Sequence, residues 1–94
     1  MQEIQHVFDG QNGSFYIEVN NQKVATLDYV MAGDIKMIIE HTEVDDSLKG
    51  QGIGKKLLEK LVEYSREKQL SVMPLCSFAK VVFKKTPEWQ DVLT

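Results

Sequence analysis

The chain has 94 residues, 43% of them apolar and 27% charged, with a formal net charge of −3. That length suits one small domain around one core, taken here as residues 1–94, and the balance is ordinary for a globular protein. No apolar run approaches the roughly 20 residues of a bilayer span, so no membrane partner is expected. The opening MQEIQHVFDG has neither a basic start nor a long apolar stretch and is not read as a secretory signal. The single cysteine, Cys76, excludes an intramolecular disulfide and fits a reducing compartment, giving a cytoplasmic expectation.

The first half reads as strands. Residues 4–9 form a short one that closes on the turn-prone DGQNG. Residues 14–19 alternate, with Phe15, Ile17 and Val19 on one face, and Asn20-Asn21 suits a tight turn because asparagine tolerates positive φ. Residues 23–31 make the next strand, Ala32-Gly33-Asp34 turns the chain, and IKMIIEHTEV, residues 35–44, makes a long one. There Ile35, Met37 and Ile39 share one face and Ile38 takes the other. Together these strands predict an antiparallel meander.

After the polar turn at residues 45–47 the period changes. Ile53, Leu57, Leu58, Leu61, Val62 and Ser65 recur at helical spacing, with lysines and glutamates on the other face, so a helix is predicted from Gly52 to about Lys68. LSVMPL, residues 70–75, reads as a short buried strand. The intervening helix allows it to lie parallel to the strand before it, with Pro74 at its end. A second helix is predicted over residues 77–85, with Phe78, Ala79, Val82 and Phe83 inward, and Pro87 stops it. A last helical turn over residues 88–93 is anchored by Trp89 and Val92.

The stretch KGQGIGKK places three glycines at the mouth of the first helix. Helix N-terminal N–H groups lack partners and carry the positive end of the dipole, and glycines let an anion approach closely. The charge pattern agrees. Residues 1–48 hold two basic and nine acidic side chains, a balance of −7, whereas residues 49–85 hold nine basic and three acidic ones, a balance of +6. The basic excess begins with the glycines, so a polyanion is favoured there and a cation beside the acidic half. A Walker loop is excluded because Gly54 is followed by Lys55-Lys56 without the required hydroxyl. A dinucleotide fold is excluded by the GxGxG spacing and the preceding meander. The basic residues alternate with acids and carry no nucleic-acid motif.

What remains is the pattern [R/Q]-x-x-G-x-[G/A] between a long strand and an amphipathic helix, with Lys49 in the first place. With HTEV before it and PLCSFA after the next strand, the sequence resembles the GNAT superfamily of acyl-CoA-dependent N-acetyltransferases over roughly residues 14–89, and most of all its shortest members. The resemblance implies an α/β (α+β) fold: a mixed, mostly antiparallel sheet, two principal helices, and a phosphate-binding loop before the first. It implies acetyl-CoA as co-substrate, with no metal. The amides of Gln51, Gly52, Ile53, Gly54 and Lys55 would cradle the pyrophosphate, with Gly50 also at the cofactor. Lys49 and Lys56, or Lys84 and Lys85, would meet the 3′-phosphate. Thr42, Glu43 and Val44 would contact the pantetheine arm, and Phe78, Ala79 and Phe83 would flank the cofactor.

The chemistry implied is acetyl transfer to a primary amine, on a protein or a polyamine-like molecule. That needs a neutral amine and a proton for the leaving thiolate. Phe83 falls where many family members place a tyrosine acid, and Cys76 falls on their asparagine. Cys76, at a strand end and a helix start, is the natural substitute, as acid or as acetyl carrier. His41, with Glu43 or Glu40, is the candidate base. By alternation, His41 and Glu43 share one face of the strand while Glu40 and Thr42 share the other. The rival reading is a CoA-binding module without catalysis. His6 reads as surface, and the oligomeric state as monomer or weak homodimer through an edge strand.

Overall fold

The computed structural model describes residues 3–48 and 50–93; the expectations placed on Lys49 lie outside them. Five strands form one sheet in the order β1-β2-β3-β4-β5: β1 Gln5–Phe8, β2 Asn12–Val19, β3 Gln22–Ala32, β4 Lys36–Val44 and β5 Ser71–Pro74. The first four pair antiparallel, and β5 pairs parallel with β4. The turns follow local chemistry. Asp9 accepts from the N–H groups of Gln11 and Asn12, closing the first hairpin. Asn20 and Asn21 both take positive φ, 53° and 64°, and close the second.

Two helices follow as the periodicity predicts, α1 Ile53–Lys68 and α2 Ser77–Lys84, with a 3₁₀ segment at Pro87–Val92. The core lies between α1 and one face of the sheet. Leu57, Leu58, Leu61 and Val62 are fully buried against Phe15, Ile17, Leu27, Tyr29, Met37 and Ile39. Full burial of one such side chain contributes about 1.5–3 kcal/mol. The tail is pinned twice: Trp89 meets Phe83 edge-on at 5.5 Å, and Arg66 on α1 donates to Asp91 at 2.7 Å and to the Glu88 carbonyl at 2.7 Å. Ile35, expected on the core face, instead sits in the turn before β4 with 67% of its surface exposed. Phe78, expected inward, is 40% exposed.

One irregularity in the sheet positions the site. Along β3 and β4 the partners run Asp28 with His41, then Tyr29 with Ile39, so Glu40 is an extra residue, a β-bulge. The bulge reverses the phase of the strand. Before it, Met37 and Ile39 face the core; beyond it, Thr42 and Val44 do, opposite Leu27 and Ala25. β5 accompanies β4 only as far as the bulge, and its last rung is the Leu75 N–H donating to the Ile39 carbonyl at 3.0 Å. Past that point β4 runs on to Val44 without β5 beside it.

Candidate active site

The parted strands open a groove of about 380 Å³, lined by Thr42 and Val44 of β4, Leu48, Gly52 to Lys55, and Phe78 and Val82 of α2. Its outer end is the glycine loop. Gly50 and Gly52 take φ of +85° and +70°, and a Cβ on either would stand in open space. Gly52 caps α1 without any side-chain hydrogen bond, and the first helical bond comes from the Lys56 N–H. The loop therefore presents first-turn amides to a bare concavity, the requirement for a pyrophosphate. Gly54 serves packing instead, since a Cβ there would lie 2.6 Å from the Phe78 ring.

Cys76 does not itself line the groove; it caps α2 and meets the groove wall through Thr42. Its Sγ accepts from the Ala79 N–H at 3.4 Å and lies 3.3 Å from Thr42 Oγ1. The strand end and helix start that the sequence assigns to Cys76 are thus where it stands, half-buried beside the groove. Thr42 and Val44 line the groove, as do Gly52, Ile53, Gly54, Lys55 and Phe78. Gly50, Gln51 and Lys56 are exposed around the loop. Ala79 is buried beneath Cys76. Phe83 is not in the groove: it is 1% exposed and packed on Trp89, and Val82 takes the groove wall in its stead.

His41 and Glu43 do share a face, with His41 Nε2 3.3 Å from Glu43 Oε2 and both side chains exposed. Ordinary alternation turns that face away from Thr42, whose hydroxyl meets Cys76, and neither side chain lines the groove. Glu40, expected beside Thr42, falls on the far side, in a cleft with Asp28 and Ser14. Alternation alone misplaced it because the extra residue shifts the count by one.

His6 is exposed, as the sequence reading has it, but it is engaged by its neighbours. It stacks on Phe15 at 4.2 Å, meets Tyr64 edge-on at 4.6 Å, and its Nε2 lies 2.6 Å from the Tyr29 hydroxyl. Partial burial lowers its pKa below the ordinary imidazole value, and burial likewise raises the Tyr29 phenol well above its usual range. No sequence signal connects residues 6, 29 and 64; the sheet register and the α1 packing do.

Among the described residues no helix is long and apolar enough to cross a membrane, and no group of three His, Cys, Asp or Glu could hold a metal. A profile of the GCN5-related N-acetyl-transferase family matches residues 14–92. No match was found among curated proteins. Among solved structures, a GCN5-like protein from Staphylococcus aureus is 39% identical, with 98% of this chain and 87% of that one aligned at a TM-score of 0.76. A ribosomal-protein-alanine N-acetyltransferase from Brucella melitensis biovar Abortus (15% identity, TM-score 0.65) aligns with 82% of this chain. An aminoglycoside acetyltransferase from an uncultured soil metagenomic sample (19%, 0.65) aligns with 87%. These two share the fold, and this chain spans only 62% and 59% of their lengths. The strand order, the glycine loop and the match over residues 14–92 together establish that the chain belongs to the GCN5-related N-acetyltransferase family.

Proposed function

We propose that the chain transfers an acetyl group from acetyl-CoA to a primary amine, with Cys76 at the centre of the reaction. The observation that carries this reading is the single groove running from the glycine loop, along the β4 edge that β5 has left, to the Thr42–Cys76 contact. The pyrophosphate would sit on the amides of Gly52 to Lys55, with Lys55 and Lys56 adding positive charge. The pantetheine arm would lie along Thr42 to Val44 and take the place of the missing strand. Its thioester would then come to Cys76.

Two routes lead on from there. Cys76 as thiolate attacks the acetyl carbonyl carbon, the bond from that carbon to the CoA sulfur breaks, and CoA leaves as a thiolate that takes up a proton. The amine then attacks the acetyl-cysteine and releases Cys76. Alternatively the amine attacks the thioester directly and the Cys76 thiol protonates the leaving CoA sulfur. In both, Thr42 Oγ1 fixes the position of the sulfur, and the His41–Glu43 pair would take the proton from the incoming amine.

Intact-protein mass after mixing with acetyl-CoA tests this, with Cys76→Ala alongside. A gain of about 42 Da that vanishes in the variant and discharges to added amine supports the covalent route. Turnover on an amine panel without an adduct, lost in Cys76→Ala, supports the direct one. The burial of Phe83 where a tyrosine acid is common favours a second reading, a CoA-binding module without catalysis. Acetyl-CoA binding by calorimetry, with no adduct and no turnover on any amine, would establish that one. Absence of acetyl-CoA binding would overturn both.

A further inference from the structure

The sheet has two edges, and the fold treats them differently. β5 ends at Pro74, which has no N–H to offer, and Leu93 of the tail bridges to Val72 along its outer side. β1 has no strand on its outer side among the described residues. Gln5 to Phe8 are all exposed, Val7 at 47% and Phe8 at 45%. Edge strands are ordinarily blunted by lysine, proline or a bulge. β1 contains neither residue, and its pairing with β2 runs without a register shift from Gln5 opposite Tyr16 to Phe8 opposite Gly13.

The first hairpin fixes which backbone groups that edge offers. The Asp9 N–H donates to the Asn12 carbonyl at 3.0 Å, so these two residues form a hydrogen-bonded pair. Bonded and non-bonded pairs alternate along an antiparallel ladder. Gln5 and Val7 therefore turn their N–H and C=O groups toward β2, and His6 and Phe8 turn theirs outward. When two such edges meet antiparallel about a two-fold axis at Val7, His6 of each copy stands opposite Phe8 of the other. Every outward group of both residues then finds a partner. Val7 meets Val7 of the second copy in a non-bonded pair, where side chains come closest, and Gln5 comes opposite Asp9. A register centred on His6 is poorer, because it sets Glu3 against Asp9 and draws on Ile4, which lies outside the strand.

Charge beside the edge suits the same occupant. Lys60, Glu63 and Glu67 of α1 border a depression that they share with His6 and Tyr64. Lys60 meets Glu63 at 3.8 Å, and Glu67 has no ion-pair partner among the described residues. The two-fold axis keeps both α1 helices on one side of the joined sheet and runs them in opposite directions. Glu67 of each copy is thus carried toward Lys60 of the other. We infer that β1 is a self-pairing edge, through which two copies of the chain join their sheets into one. The contact is small, so the dissociation constant should be on the order of 0.1–1 mM, as for interfaces below about 1,200 Å². The inference is independent of acetyl transfer, since the groove lies at the opposite side of the sheet, by β4, and stays open in both copies.

Sedimentation of the full chain from about 20 μM to about 1 mM, the range in which so small an interface associates, tests it. A monomer that passes to a dimer is expected, with the His6 and Phe8 amides gaining protection from hydrogen exchange as concentration rises and the Val7 amide unchanged. Val7→Lys puts like charges at the axis and should weaken the dimer at least about tenfold. Val7 is exposed, so that variant keeps the fold, and a melting curve checks it. Register is read by cross-linking in a Cys76→Ser background. Val7→Cys should oxidise to a disulfide-linked dimer, because facing Cα atoms of a non-bonded pair are about 4.5 Å apart. Gln5→Cys should not, because it and its counterpart lie four residues apart along the strands, about 13 Å. Equal cross-linking of the two overturns the register. A chain that stays monomeric to about 1 mM, or a dimer untouched by Val7→Lys, overturns the self-pairing edge.

Discussion

Two glycines of the loop are there for different reasons, and substitution separates them. Gly52 takes φ +70° with nothing near a would-be Cβ, so Gly52→Ala strains the backbone without a clash. The left-handed conformation costs a non-glycine residue roughly 1–2 kcal/mol. Gly54 is the reverse, with helical backbone and the Phe78 ring 2.6 Å from where a Cβ would go. Overpacking costs about 1–3 kcal/mol when neighbours cannot move. Phe78 is 40% exposed, though, so its ring can swing away. Alanine also gains helix propensity over glycine, up to ~1 kcal/mol. Gly52→Ala should therefore lower the melting temperature, and Gly54→Ala should leave it nearly unchanged. Both should weaken acetyl-CoA binding by calorimetry, the first by placing a methyl group in the phosphate cradle and the second by pushing Phe78 into the groove. Unaltered affinity in both would show that the loop does not hold the co-substrate. The loop was legible in the sequence because spacing and charge declare it. The contact between Gly54 and Phe78, 24 residues apart, was not, because it depends on where α2 docks.

At the scale of elements, the five strands, α1 and α2 were legible to within a residue or two, since periods of 2 and 3.6 survive in the apolar positions. What escaped was the bulge. Between Ile39 and Val44 the sequence reads Glu-His-Thr-Glu, with no apolar residue to betray a change of phase. As a result the shared face of His41 and Glu43 was readable, while the face itself and the place of Glu40 were not. The bulge also decides the groove, because bulged strands bend and twist. Deleting Glu40 tests that role. The deletion would leave Ile39 opposite Tyr29 and His41 opposite Asp28 as consecutive pairs, so every side chain beyond would keep its face. We expect a folded protein in which β4 straightens and β5 pairs further along it, with acetyl-CoA binding lost. Hydrogen exchange should then show new protection beyond Leu75, the last residue whose N–H reaches β4. A deletion variant that folds and still binds acetyl-CoA would separate the groove from the bulge.

Across the whole molecule, charge is divided along the chain, and the fold carries that division onto two different concavities. The balance of +6 over residues 49–85 includes Lys55 and Lys56 at the mouth of the groove, and the balance of −7 over residues 1–48 includes Asp28 and Glu40 in the opposite cleft. A net charge of −3 hides both. The sequence showed the asymmetry, but only the fold shows that Lys55 lines the groove while Asp28 and Glu40 line the cleft over β1 to β4. Exposed charges act through solvent and are screened within about 10 Å at 0.1 M salt, whereas backbone amides at a helix mouth act at contact. Affinity for acetyl-CoA should accordingly fall with rising salt, and Lys56→Gln should weaken it ~2–5-fold at low salt and much less at high salt. CoA lacking the 3′-phosphate should show a shallower salt dependence if the lysines serve that group, and an unchanged one if they serve the pyrophosphate. A salt-independent affinity in the wild-type chain would mean that the amides of the glycine loop hold the ligand alone, and that the basic excess around them has another use.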